Sequence, residues 1–343
     1  MTAPIINQLT RTHEIRITIR STLPEPLLRS RIDGEFEVIS TVTDFGMQMH
    51  DSFRVDLEKS ADDYLNFHQN YSERLEEESR ALKAVSPDLI LANIPYLTIE
   101  AAAQCGIPCV AYCSLNWLEI FDQYFSNDME ESDRIKKQIR HAYNQADSFF
   151  CPEPSMDMPD LNNVTNVGPV ARQNHEVINL QKLLGVSAKT KVVLIAPGGV
   201  PTEISVHDWP KYDDIVWVCS WKADDAREDV VLAENLNLSF NQILANADAV
   251  ISKAGYGTVT ETVCNGVPAL YVKRGDWPEE PFLLDWWMKN GNVLEINRSQ
   301  LYGGNIRRNL NELWQMAYRP MKNPTGIAQI CQALSKYIEK PSS

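Results

Sequence analysis

Short runs of β-branched or apolar residues alternate with stretches of helical period along the whole chain, the signature of an α/β fold. Ile15 to Ile19 reads as a strand, Ser60 to Lys83 as one long polar helix, and Asp88 to Ala92 as a buried strand. Glu100 to Cys105 reads as a short helix stopped by Gly106, followed by the strand Cys109 to Cys113, the helix Arg134 to Ala146 and the strand Ser148 to Cys151. A second series follows a stretch punctuated by Pro152, Pro154, Pro159 and Pro169. It comprises helix His175 to Leu184, strands Val192 to Ala196 and Ile215 to Val218, helix Phe240 to Ala245 and strand Ala249 to Ser252. Helix Thr258 to Cys264, strand Ala269 to Val272 and helices Phe282 to Lys289 and Gly326 to Ile338 complete it. The predicted organisation is two doubly wound domains with parallel sheets, 1–168 and 169–343.

The opening is out of order for such a fold. A doubly wound domain begins with its central strand, yet Ala3 to Leu9 reads as a helix and precedes any strand. The first strand of the N-terminal domain is therefore expected to be missing, either because the chain is truncated at its start or because the domain is rebuilt around the loss.

Length agrees with two domains, since 343 residues exceed what one hydrophobic core usually serves. Acidic residues outnumber basic ones 46 to 32, for a formal charge of -14, which argues against nucleic acid or an anionic membrane as partner. Seven cysteines without a CxxC pair, no signal peptide and no run of about 20 apolar residues give the expectation of a cytoplasmic protein with reduced thiols. Cys105, Cys109 and Cys113 recur every four residues, but Gly106 and Pro108 break the helix that would align them as metal ligands.

The chemistry concentrates in Ser252-Lys253-Ala254-Gly255-Tyr256-Gly257-Thr258-Val259-Thr260-Glu261, which reads as strand, glycine turn and helix. Gly255 and Gly257 let backbone amides point into the turn at the helix start, where unpaired N–H groups and the positive end of the dipole favour a phosphate or diphosphate. Val259 and Val263 face the sheet, which turns Glu261 toward the loop's ligand, where a carboxylate can take ribose hydroxyls. An ordinary βα turn carrying a solvated Glu fits the same glycine pair.

This segment resembles the nucleotide-sugar signature of GT-B glycosyltransferases of the family 28 type. It is similar to the peptidoglycan lipid-intermediate N-acetylglucosaminyltransferase and more closely to the glycosyltransferase-like N-terminal region of L-arabinokinases. The latter's Gly-Tyr-Gly-Thr-Val-x-Glu stands here at Gly255 to Glu261, and its Glu-Glu-Pro-Phe-Leu at Glu279 to Leu283. Weaker likeness runs through Asp44-Phe45-Gly46, Gly106-Ile107-Pro108, Asn116-Trp117 and Pro197-Gly198-Gly199, and no kinase phosphate loop is present. The resemblance implies two Rossmann-like domains facing across a cleft, with the donor held mostly by the C-terminal one. Gly198, Gly199, Gly255, Tyr256, Gly257 and Thr258 would hold the diphosphate, Glu261 the ribose, and Glu279 or Glu280 the sugar hydroxyls. Lys253 would lend positive charge to the diphosphate or cap a strand at the surface. No Asp-x-Asp occurs, so amides and dipole would stand in for a bridging metal, and no cofactor is expected.

An inverting transfer needs a base for the acceptor hydroxyl. Relatives often carry it in a loop after the first strand, which would lie before Met1. Within the chain the candidates are His50 and Asp51, with Asp44 behind them, while His13 reads as a surface residue. Asn116 and Trp117, just past a strand end, are the acceptor-side candidates, Trp117 as a platform for a sugar face. The reading is a metal-independent, inverting glycosyltransferase using a uridine-linked donor and an unidentified acceptor. A non-catalytic nucleotide-sugar-binding module, or an epimerase or hydrolase on the same fold, are the alternatives.

Overall fold

The computed structural model describes residues 1–126, 129–198, 204–221 and 227–339. Its contacts divide the chain into two compact units: Met1–Gln48, Val55–Val170 and Thr325–Ser343 form one, Met49–Arg54 and Ala171–Pro324 the other. The sequence reading made a single cut after residue 168, whereas residues 49–54 and the C-terminal helix each join the unit on the far side of that cut.

The first unit holds two parallel sheets. One pairs β1 (Thr18–Arg20) with β2 (Glu37–Ile39). A hairpin of β3 (Met49–Asp51) and β4 (Arg54–Val55) follows in the chain. The larger sheet runs in the order β5 (Ile90–Ala92), β6 (Cys109–Tyr112), β7 (Ser148–Pro152), β8 (Val164–Val167). The β6 strand is buried throughout, as a strand covered on both faces must be. The first helix, Thr2–Thr12, precedes every strand and packs against the last, Thr325–Ile338, where the Cys331 thiol donates to the Ile5 carbonyl.

Two helix assignments differ from expectation. The long helix over 60–83 is broken at Asn70 into Leu57–Gln69 and Tyr71–Val85. Asn70 (φ −109°, ψ 25°) leaves the helical region, as asparagine does where its amide competes for the backbone. The helix expected over 175–184 shrinks to Leu180–Leu183. The chain before it is held open from outside: Gln173 donates to the Cys264 carbonyl, and the Asn174 and Ile178 amides donate to Asn265 and Asn246. Tertiary hydrogen bonds there outweigh a propensity of a few tenths of a kcal/mol per residue.

The second unit is one six-stranded parallel sheet in the order β11-β10-β9-β12-β13-β14. The strands are β9 (Lys191–Ile195), β10 (Ile215–Cys219), β11 (Val230–Leu232), β12 (Ala249–Lys253), β13 (Ala269–Val272) and β14 (Val293–Glu295). Numbered from β9 this is 3-2-1-4-5-6, so successive strands step one way from β9 to β11 and the other way from β12 to β14. The reversal between β9 and β12 opens a crevice beyond their C-terminal ends, where open α/β sheets bind ligands. The core beneath is dense with large side chains, Trp217 fully buried and Trp209 edge-on to it at 5.1 Å between ring centres. Phe53, from the short segment 49–54, is part of this core at 2% exposure, and the Arg298 guanidinium lies 5.2 Å over its ring. Burying that one aromatic, worth about 1.5–3 kcal/mol, is what assigns the segment to this unit. Among the described residues no helix is long and apolar enough to cross a membrane.

Candidate functional site

Two turns converge beyond the reversal point of the second unit's sheet. After β9 the chain passes through Ala196-Pro197-Gly198, and Gly198 sits at φ +116°, which residues with a side chain rarely adopt. A Cβ there would come within 2.8 Å of Lys253 Cε and 4.0 Å of Ser52 Oγ. After β12 the chain turns at Gly255, the N-cap of a helix that starts at Tyr256, two residues earlier than the spacing predicts. Among the described residues no side chain caps this helix, and Gly257 and Thr258 fall in its first turn, where helix geometry offers the amides no intrahelical acceptor. The Ser252 hydroxyl donates to the Ala196 carbonyl at 2.7 Å, fastening the two turns together.

Lys253 lies across this junction. Its Nζ is 3.8 Å from where a Gly255 Cβ would stand and 3.5 Å from that of Gly198. Burial pushes its pKa down from 10.5 to about 8, the Arg274 guanidinium pushes the same way, and Glu279 and Glu280 oppose more weakly. Among the described residues its ammonium forms no hydrogen bond or ion pair. A largely buried cation that makes no ion pair with a described residue, set against the positive end of a ten-residue helix, is a site that favours an anion.

Of the remaining donor-side residues, Glu261 is half-buried in the second turn of the helix, with Val259 and Val263 buried on the sheet side as the spacing predicts. Gly199 lies outside the described residues. Glu280 is committed to the turn before its own helix: its two oxygens accept from the Arg274 amide at 2.7 Å and the Gly275 amide at 3.1 Å. Glu279 accepts from the Trp277 indole at 3.1 Å. The group these carboxylates position is Arg274, whose guanidinium stacks 4.0 Å from the Trp277 ring centre. Sequence reading passed over Arg274, although it stands two residues past the end of β13, where side chains reach a crevice of this kind.

The first unit gathers a different set of groups past the end of β6. Asn116 caps the helix Trp117–Phe125, its Oδ1 accepting from the Leu118 and Glu119 amides at 2.9 and 3.1 Å. The Trp117 amide donates to the Tyr143 hydroxyl, which itself donates to the Ile94 carbonyl. The Trp117 ring packs on Gly46 (φ +65°), where a Cβ would fall 2.6 Å from it, and the Trp117 side chain hydrogen-bonds the Asp44 carboxyl. Burial raises the Asp44 pKa from 3.8 to about 7 against that hydrogen bond, and Asp44 Oδ2 is buried with no partner among the described residues. The fully buried Tyr64 hydroxyl also lacks a partner among the described residues, and burial, with the Asp44 charge behind it, pushes its pKa up. Glu119, absent from the sequence-based candidates, is pushed up to about 7 by burial.

His50 and Asp51 fall in the second unit, apart from Asp44 in the first. His50 is exposed. Asp51 accepts from the Phe53 amide at 2.7 Å and from Arg54 at 2.8 Å. Its slight burial would raise its pKa, but those donors together hold it below the usual carboxylate range, which makes it a poor proton acceptor. Among the described residues no group of three or more His, Cys, Asp or Glu side chains is arranged to hold a metal ion.

The architecture is that of the GT-B glycosyltransferases. Residues 228–279, which include β12, Lys253 and the glycine turn, match the model of the glycosyltransferase family 28 C-terminal domain. The chain is 26% identical over 284 residues to L-arabinokinase of Arabidopsis thaliana, a match spanning 79% of this chain and 26% of that protein. It thus spans about a quarter of the length of that relative. Among solved structures it is similar to CalG4, the calicheamicin glycosyltransferase, with a TM-score of 0.63 at 16% identity over 99% of this chain and 95% of that one. It is also similar to a putative UDP-N-acetylglucosamine 2-epimerase from Listeria monocytogenes, with a TM-score of 0.54 at 12% identity over 100% and 94%.

Proposed function

We propose that the chain is a glycosyltransferase whose second unit binds a uridine-diphosphate sugar and whose reaction inverts the anomeric centre. The observation that carries this reading is the Lys253 ammonium at the strand-order reversal, largely buried and in no ion pair with a described residue, between the Gly198 turn and the helix start at Tyr256. A diphosphate supplies the missing charge. The amides of Tyr256, Gly257 and Thr258 would bind its oxygens, Gly198 would let them approach the backbone, and Glu261 would take the ribose hydroxyls. Such preorganised donors stabilise a diphosphate leaving group as its charge develops, in the role a bridging metal plays elsewhere.

In the proposed reaction an acceptor hydroxyl oxygen attacks the anomeric carbon, and the bond from that carbon to the diphosphate oxygen breaks. The electron pair leaves with the nucleoside diphosphate, and the hydroxyl proton passes to a base. Asp44 fits that role better than His50 or Asp51. Its pKa near 7 lies where a general base is most effective, and one of its oxygens has no partner among the described residues.

The test is a thermal-shift series with UDP, GDP and dTDP in EDTA. A nucleotide at 100 times its Kd stabilises by about 2.7 kcal/mol, and UDP is expected to give the largest shift. The proposal fails if no nucleotide shifts the melting, or if shifts appear only with added Mg²⁺ or Mn²⁺.

A further inference from the structure

The acidic surplus of the chain is reversed on one helix. In a chain of formal charge -14, Ser132–Tyr143 of the first unit carries Arg134, Lys136, Lys137, Arg140 and His141. Three of these cations are matched, Arg134 with Glu131, Lys136 with Asp122 and Asp133, and Arg140 with Asp160. Lys137 has no hydrogen bond or ion pair among the described residues. Arg134, Lys137 and His141 follow one another by three and four residues, which puts them on one face of the helix, and that face is a wall of a cavity of about 470 Å³. A volume in the range of roughly 300–1,000 Å³ is that of a small-molecule site. Tyr71 and Leu75, both buried, line it from the helix Tyr71–Val85. Glu100 lines it too: its Oε2 accepts from the Tyr71 hydroxyl at 2.7 Å, and its Oε1 lies 3.8 Å from His141 Nε2. The Arg134 guanidinium is fixed through Nε to Glu131 and through Nη1 to the His68 carbonyl, and its Nη2 makes no hydrogen bond among the described residues.

We propose that this cavity is a second small-molecule site and that its ligand is a sugar monophosphate. The inference is independent of the donor site, because no residue assigned to the proposed reaction lines the cavity. Lys137 and the open Nη2 of Arg134 on one wall suit a group of about −1.5 to −2 charge, which a phosphate monoester carries near pH 7. Glu100, held in place by its neighbours, keeps lone pairs beyond the one that Tyr71 uses and accepts the sugar hydroxyls. Free phosphate engages the cations alone and a neutral sugar engages Glu100 alone. The ligand that uses both carries both groups.

Calorimetric titration of the whole chain with inorganic phosphate, glucose, glucose 1-phosphate, glucose 6-phosphate and ribose 5-phosphate tests this. At least one sugar phosphate is expected to bind on the order of 10-fold or more tighter than inorganic phosphate, and glucose more weakly than that sugar phosphate. Lys137→Gln is expected to weaken the sugar phosphate on the order of 10-fold, and Lys137→Glu, which puts a like charge beside the phosphate, to abolish its binding. Lys137 is exposed, so both variants are expected to melt as the parent does and to leave UDP titrations unchanged. Saturating UDP is expected to leave the affinity for the sugar phosphate as it was. The proposal is overturned if the parent binds none of the three sugar phosphates, if it binds them no tighter than inorganic phosphate, or if binding survives Lys137→Glu. Displacement of the sugar phosphate by UDP overturns it as well, because the ligand then occupies the donor crevice.

Discussion

In each unit an ionisable group is displaced from its ordinary range by burial, and Lys253 and Asp44 are displaced in opposite senses. Lys253 is pushed down to about 8 in the second unit, and Asp44 up to about 7 in the first. Burial is the main cause in both, and neither group has a full complement of partners. Stability alone would remove such groups, since each weakens the fold in its charged form. In the function proposed above the two serve different ends, the cation an anionic donor and the carboxylate a proton.

The contrast can be broken first at Asp44. The carboxyl is at 3.8 in the unfolded chain and near 7 when folded, so the folded state binds the proton more tightly and the parent loses stability as pH rises from about 4 to 7. Asp44→Asn removes that slope. It should be up to about 4 kcal/mol more stable than the parent at pH 8 and close to it at pH 4, as read by denaturant unfolding at the two pH values. Equal differences at both would mean the carboxyl ionises freely in the native protein.

At Lys253 the sign reverses with the charge. Its folded pKa lies below the unfolded value of 10.5, so the penalty is complete below pH 8 and is relieved as pH rises toward 10.5. Lys253→Met should gain up to about 3 kcal/mol at pH 7 and lose that advantage by pH 10.5. Because Arg274, Glu279 and Glu280 all face this ammonium, the same titration repeated in Arg274→Gln should shift the midpoint upward.

Gly198→Ala tests the turn that shapes the donor side. The φ of +116° and the 2.8 Å approach to Lys253 Cε both oppose a side chain, and the cost should be about 1–3 kcal/mol by thermal melting. The smallest effect belongs to Asp51→Asn. Paired with an exposed Arg54, this partly buried carboxylate gains little from the ion pair, and its loss should change stability by no more than about 1 kcal/mol and leave nucleotide binding unaltered in a titration.

The same two regions differ in how much of them the sequence reveals. The donor side is local and made of backbone: strand, glycine turn and helix occupy residues 249–265 without interruption, so pattern and turn chemistry placed Lys253, Gly255 and the helix to within two residues. The cluster in the first unit is assembled from Asp44, Gly46, Tyr64, Trp117 and Tyr143, which share no local spacing, and their arrangement follows only from packing. The sequence places Asp44 only behind His50 and Asp51, because its pattern does not show that residues 49–54 follow Phe53 into the other unit's core. Asn116 was placed past its strand end, but the spacing does not reveal that its carbonyl oxygen is occupied in capping a helix. At Glu279 and Glu280 the resemblance located the carboxylates, while their hydrogen bonds to the preceding turn depend on how that turn folds back.

The central claim, that an unpaired ammonium holds the donor's diphosphate, is tested most directly by calorimetric titration of UDP into the parent and into Lys253→Met at pH 7 in EDTA. A charge-assisted contact to a buried anion is worth about 1.5–3 kcal/mol. The account therefore predicts binding by the parent without metal and a loss of about 10- to 150-fold in the variant, which stays folded. Binding of UDP by Lys253→Met as tightly as by the parent would contradict it.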